Sequence, residues 1–503
     1  MPYSPYPTFD CLDIFPTRPN VLAYKFQYPG QVYVTRPFPD TLRKMAEVEV
    51  WEQGVVAGSP GNTLARQSRP RRSIWKSIEE KWGAVQIESQ GAYSVERLES
   101  LSLYCKTTSR GRVILLCFLS PVPALATALV IESLPLRSPS EGWAANWVFW
   151  VRLLLVQLIL SFASTSHMTR LIPGLNFTIG KIMALSMGKS TAFVGICLLA
   201  ADKIGFPVPL MMQLAPVPIG IVNLIMTFLV LGSVLFAKTS PLKAHADRFN
   251  RFLLSILALA AAFPIYKLLF QQVPDGYRGV AVVILPIWKF AAKQFMVSST
   301  RRLEDIMPLA VAFCVDFLST LFIAVFSAGI PNDECKWKTA VQTTGRSEEL
   351  SNSYMQEIRL IGQYELAGTE ATQALNKIVV RGVQLLFHAE YVALVQYVES
   401  MVPIVFLIYK SVLEHLPNVV YYPGGAGAWD MQSTSNTALF AVMEVVLLLF
   451  FDTLLRHKFG FSPLYQVAFV LETEFHVVQS MLFGSIIFVL QYDLEHFVLQ
   501  NRA

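Results

Sequence analysis

IMPLAVAFCVDFLSTLFIAVFSAG, residues 306–329, holds one charged side chain, Asp316, close to its middle. About twenty apolar residues, rising 1.5 Å each, cross a hydrocarbon core roughly 30 Å thick. The stretch therefore predicts a membrane-spanning helix. An aspartate at the centre of a span costs about 2.5–3.5 kcal/mol, while each Leu, Ile, Val or Phe returns about 0.3–0.6 kcal/mol. One charge is tolerable in such a run, provided that Asp316 faces a partner, water or a cavity rather than lipid.

The remainder of the chain repeats this pattern. Of 503 residues, 53% are hydrophobic and only 15% charged; mean hydropathy is +0.44. Soluble domains carry about 25% charged residues, so the bilayer is the expected solvent and partner. Ten apolar stretches are predicted to span it: 113–131, 145–165, 182–201, 218–237, 252–270, 279–297, 306–328, 391–411, 437–455 and 474–491. The fold class expected is all-α, a polytopic transmembrane bundle of about ten spans with a small N-terminal extramembrane region. The divisions are 1–110, a cytoplasmic N-terminal region; 111–328, seven spans; 329–390, a long polar loop; and 391–503, about three spans.

Two features outside the spans have local readings. QVYVTR, 31–36, alternates like a short strand. RRSIWKSIEEKW, 71–82, places Ile74, Trp75, Ile78 and Trp82 on one helical face. It suits either an interfacial helix on the inner leaflet or a helix packed on the N-terminal region. That region and the 329–390 segment are the expected surfaces for protein partners. The apolar second half of 329–390 reads as a surface helix leading into the eighth span.

Lys and Arg in short loops report orientation. Lys106, Arg110 and Arg112 precede the first span and Arg137 stands alone after it. Arg170 and Lys181 follow, then Lys203 alone, then Lys238, Lys243, Arg248 and Arg251, then Arg278 alone, then Arg301 and Arg302. This alternation predicts a cytoplasmic N-terminus and makes 182–201 a true crossing. It fails near the end, where ten consecutive crossings put Arg456, His457 and Lys458 outside. Either 391–411 does not cross or a C-terminal segment is re-entrant. Asn176-Phe-Thr is a glycosylation sequon that this topology leaves on the cytoplasmic side.

Several chemistries are excluded by motif. Gly188-Lys189-Ser190-Thr191 matches the tail of a phosphate-binding loop, but Met183 stands where the first glycine is required and no strand precedes it. The six cysteines, Cys11, Cys105, Cys117, Cys197, Cys314 and Cys335, form no CxxC pair. Hydrolase and calcium-loop signatures are absent, and neither metal nor cofactor is expected. The net charge of +5 is modest and forms no basic patch for nucleic acid.

Function is then sought in charges at membrane depth. The candidates for a substrate or ion path are Asp316, Lys189, Lys289, Glu399, Glu444 and Asp452. Glu444 and Asp452 lie two turns apart on one face, about 12 Å along the axis. Lys189, Lys267, Lys289, Lys293 and Arg152 are available as partners. Such groups serve transport, or they form static pairs that fix helix packing. Pro264, Pro286, Pro308 and Pro403 interrupt spans and free backbone carbonyls. GFPVPLMMQLAPVPIG, 205–220, is either a re-entrant loop or a structured outer connection. A transporter or channel for a small solute or ion is one expectation; a non-transporting scaffold or receptor is the other.

KIMALSMGKSTAFVGICLLAADKIGFPVPL (181–210), RFNRFLL (248–254), FSPLYQVAFVLETEF (461–475) and QVYVTRPFPDTLRKMAEVEVWEQG (31–54) give the chain a family likeness. It resembles a large set of uncharacterised multi-pass membrane proteins of oomycetes such as Phytophthora. The resemblance implies a lineage and a multi-pass membrane location, and no activity or site residue.

Overall fold

Among the described residues each predicted span is mainly helix, because in hydrocarbon a helix satisfies its backbone polar groups within one segment. The computed structural model describes residues 95–328 and 371–497, apart from 173, 176, 233–239, 241, 275–277, 302, 304–305 and 460. The strand expected at 31–36, the helix expected at 71–82, the sequon at Asn176, most of the 1–110 region and part of 329–390 lie outside these residues.

In chain order the helices are α1 (Val95–Thr107), α2 (Arg110–Leu119), α3 (Val122–Glu132), α4 (Trp147–Leu171), α5 (Ile179–Ile204), α6 (Met211–Leu214), α7 (Pro216–Leu231), α8 (Lys243–Gln271) and α9 (Arg278–Thr300). Then come α10 (Met307–Val311), a π-helical turn (Ala312–Phe317), α11 (Leu318–Ala328), α12 (Ala371–Leu413), α13 (Met431–Phe459), α14 (Pro463–Thr473) and α15 (Phe475–Leu490). Among the described residues, eight helices or joined helix pairs are long and apolar enough to cross a membrane. A ninth arises if α14 and α15, bent by 90° at their junction, count as one. α9, the predicted sixth span, is helical over 23 residues but is not among them.

Local sequence sets the breaks. Ser109 caps α2 by accepting the Arg112 N–H at 3.4 Å, as an N-cap serine does. Pro121 and Pro123 divide α2 from α3, since proline belongs at a helix start and not inside. Of the proline-rich 205–220 run, Gly205–Leu210 is the connection, and the rest forms α6 and the start of α7, inside the candidate span Met211–Leu231. MGKST sits inside α5, with no turn to cradle a phosphate.

Burial orders the bundle. In Met307–Val325, 83% of the most apolar stretch is buried, against 22% in Met211–Leu231 and 28% in Met431–His457. The 306–328 segment is therefore the central post. The outer helices turn Leu224, Phe228, Leu229, Val442 and Phe450 outward, and on this chain such apolar faces are where lipid sits.

Contacts fix which termini share an end. At one end, Tyr465 donates to the Thr108 carbonyl at 3.3 Å, Gln466 to that of Leu386 at 3.2 Å, and Arg97 pairs with Glu390 at 2.8 Å. At the other, Tyr409 donates to Glu132 at 3.0 Å, Asn418 to the Glu132 carbonyl at 2.5 Å, and Tyr492 to the Pro264 carbonyl at 3.4 Å. α12 thus runs from the first end to the second, so 391–411 does traverse the bundle. Its residues Phe387, Ala389 and Glu390 are buried, which brings that part of the expected surface helix into the core.

α11 points the same way as α12: Phe322, in its first half, meets Phe263 tilted and Tyr266 edge-on, beside the Tyr492 end. Because α11 and α12 share a direction, α13 returns Arg456 to the end that holds Arg112. The expected placement of Arg456 and His457 apart from the other basic turns is thereby corrected. α14 lies at this basic end, and α15 turns from it into the bundle.

Candidate functional site

Four groups of buried polar residues are candidates. The first surrounds Asp316. A π-turn inserts an extra residue per helical turn and is a frequent companion of functional sites. Here it carries Asp316, which is fully buried. Two ammonium groups from α9 meet Asp316 Oδ1, Lys289 at 3.1 Å and Lys293 at 2.9 Å. They stand four residues apart, hence on one helical face. The Tyr391 hydroxyl approaches Asp316 Oδ2 at 3.4 Å, and Lys293 also lies 5.6 Å above the Tyr391 ring. Glu399, one of whose carboxylate oxygens is buried with no hydrogen-bond partner, feels the charges of Lys289, Lys293, Asp316 and Glu444. Of the six path candidates, Asp316, Lys289, Glu399 and Glu444 therefore fall within one electrostatic neighbourhood.

Asp452 belongs elsewhere. It accepts from Arg456 at 2.7 Å, from Ser462 at 2.5 Å and from the Leu464 backbone at 3.3 Å. It ties the end of α13 to the start of α14, so its partners are local.

A third node was not singled out by sequence. Glu132, wholly buried at the end of α3, receives Arg152 at 2.7 Å, Gln491 at 2.8 Å and Tyr409 at 3.0 Å on one oxygen. Asn418 bridges the Glu132 carbonyl and the Leu136 N–H. The available signal was a carboxylate and an arginine at the ends of adjacent apolar stretches. Their meeting depends on which helices neighbour each other.

The fourth group lines a cavity of about 130 Å³ between α4, α5, α7, α8 and α15, with Cys314 of the π-turn and Leu318 of α11 completing the wall. Lys189 does not join Asp316; it borders this cavity, and is only 3% exposed. Its Nζ donates to Thr165 Oγ1 at 3.2 Å, and Thr165 in turn donates to the Ser161 carbonyl. Among the described residues no carboxylate lies within ion-pair distance of it. Gln157, Ser161, His167 and Asn223 add polar groups to the wall, while Leu160, Ile219, Leu253, Leu257 and Phe488 supply an apolar majority. His167 Nε2 and Ser164 Oγ are buried with no partner. His167 is one of seven histidines in the sequence, and only the packing of α4 on α5 makes it a neighbour of Lys189.

No group of three His, Cys, Asp or Glu among the described residues has the geometry of a metal site. No protein-family model, curated protein or solved structure matches the chain.

Proposed function

We propose that this multi-pass membrane protein binds a small solute inside its bundle and passes it between the two faces of the membrane. The observation that carries the reading is the cavity of about 130 Å³ with Lys189, His167, Ser161 and Gln157 in its wall. A polar-edged hollow at membrane depth is costly, and polar residues there mark substrate and ion pathways. Pro264 lies inside α8, a helix of the cavity wall, and Pro286 inside α9; both helices run on through them, and each proline leaves a backbone carbonyl without its helical partner. The Lys- and Arg-bearing end of the bundle is read as cytoplasmic.

A non-transporting scaffold is the second reading, favoured by the close pairing of Asp316, Glu132 and Asp452. Cysteine accessibility separates the two. In a chain with its six cysteines replaced, Ser161→Cys or Ser480→Cys in sealed vesicles is labelled by a membrane-impermeant thiol reagent from each side in turn if the cavity opens alternately. No labelling from either side leaves the scaffold reading.

A further inference from the structure

We infer that the cavity takes an amphiphilic monoanion, a carboxylate with a short hydrocarbon body, whose charge is met by Lys189. This deepens the reading of the cavity as a solute site and rests on it. A buried cation is retained when a counter-charge compensates it, because desolvation alone is costly. Other deeply placed cations follow that rule: Arg152 has Glu132, and Lys289 and Lys293 share Asp316. Lys189 has a hydroxyl and an adjoining hollow. His167, with unpartnered Nε2, lines the same hollow. The charge at the hollow is thus the ammonium of Lys189. A carboxylate placed there accepts from Lys189 and from His167 or Ser164.

The apolar majority of the wall sets the rest of the ligand. Leu160, Ile219, Val222, Leu253, Leu257 and Phe488 offer no donors to a chloride or a phosphate. They suit a hydrocarbon tail, and a cavity of about 150 Å³ is known to admit benzene, so about 130 Å³ accommodates a short chain. Lipid phosphate shares the anionic chemistry and arrives through the bilayer. The cavity size favours the smaller acid.

The test is binding to the detergent-solubilised full chain, read by titration calorimetry and by thermal unfolding. Sodium hexanoate is compared with hexanol, sodium chloride and a dihexanoyl phosphatidate. Hexanoate is expected to bind and raise the unfolding temperature, with hexanol and chloride inert. Lys189→Gln is expected to weaken hexanoate about 10- to 100-fold, as loss of a hydrogen bond to a charged group does. Without ligand it should unfold no earlier than wild type, since it removes an uncompensated charge. Ala260→Phe, which puts a ring into the cavity and keeps the lysine, is expected to abolish binding as well.

Equal binding of hexanol, undiminished binding in Lys189→Gln, or retention in Ala260→Phe overturns the anion assignment. So does a response to phosphatidate without one to hexanoate, which would make the occupant a lipid headgroup. The cysteine labelling fails or succeeds independently of these outcomes: labelled cysteines with no hexanoate binding would leave a solute path of different chemistry.

Discussion

Glu132 and Lys189 are buried equally well in one bundle and are treated differently. Glu132 gathers an arginine, a glutamine and a tyrosine on one oxygen, at 2.7–3.0 Å. Lys189 has one threonine hydroxyl at 3.2 Å and a hollow beside it. In the first case three elements converge on one oxygen of a fixed charge, beside a hollow of only about 40 Å³. In the second, the helices stand apart where the charge is. The difference separates two uses of an intramembrane charge: one holds helices together, the other leaves something to be bound.

Asp316 offers the harshest trial of the first use. Asp316→Asn leaves two ammonium groups without their shared carboxylate, and breaking a buried pair by removing one partner costs about 3–5 kcal/mol. Thermal unfolding in detergent is expected to show a loss at or beyond the top of that range, with reduced yield of monodisperse protein. The two lysines at 2.9 and 3.1 Å give the residue a structural duty that precedes any flux. Wild-type stability in Asp316→Asn would erase the contrast between the Asp316 node and the cavity.

Glu132→Gln is expected to follow, with a loss of about 3 kcal/mol, because one cation rather than two is orphaned. The amide still accepts from Tyr409, which softens the effect. Pairing it with Arg152→Met should recover most of the loss, since an apolar replacement of both partners removes the desolvation cost on each side. A double variant no better than the single one would mean that Arg152 has a role apart from Glu132.

The pH response sharpens the comparison at a residue outside the spans. His496, in the turn after α15, donates from Nε2 to the Arg137 carbonyl at 2.8 Å and stacks on Phe149. Burial pushes its pKa down from 6.5 to about 4; the bond to the Arg137 carbonyl opposes that shift, and the nearby charge of Arg152 adds to it. The folded chain thus holds a neutral imidazole where the unfolded chain takes up a proton near pH 6.5. The resulting stability is complete above pH 6.5 and is lost as pH falls toward 4. About 2 kcal/mol should be gone at pH 5. Unfolding followed from pH 8 to pH 5 should show this slope, flattened in His496→Phe.

The chain revealed its helices more readily than its neighbours. Length and apolarity alone located the 306–328 span, because hydrocarbon thickness dictates both. The same arithmetic marked Asp316, Glu399 and Glu444 as costly, and Lys289 and Lys293 as sharing a face. It could not show that Lys189 lies away from Asp316, because partner choice depends on how α4, α5 and α9 are arranged. Nor could it orient α12: counting crossings assumes that successive spans alternate, and α11 and α12 point the same way. Glu132 went unmarked because it lies at a span's edge, where a carboxylate ordinarily meets water.

The mildest effect is expected where a pair faces outward. Arg112 and Glu472 meet at 2.5 Å at the basic end, with side chains 60% and 34% exposed. Short distance alone does not make the pair strong, because water competes for both groups and two long side chains must be ordered to form it. A double-mutant cycle with Arg112→Ala and Glu472→Ala should return a coupling of about 0.2–1 kcal/mol, shrinking as salt is added. Glu472 also accepts from the Tyr104 hydroxyl at 2.9 Å. Glu472→Ala alone should therefore cost more than Arg112→Ala, because it unties α1 as well as α2 from α14. A coupling of several kcal/mol, insensitive to salt, would mean that this end is shielded from water, and would put Arg112 in the same class as Arg152.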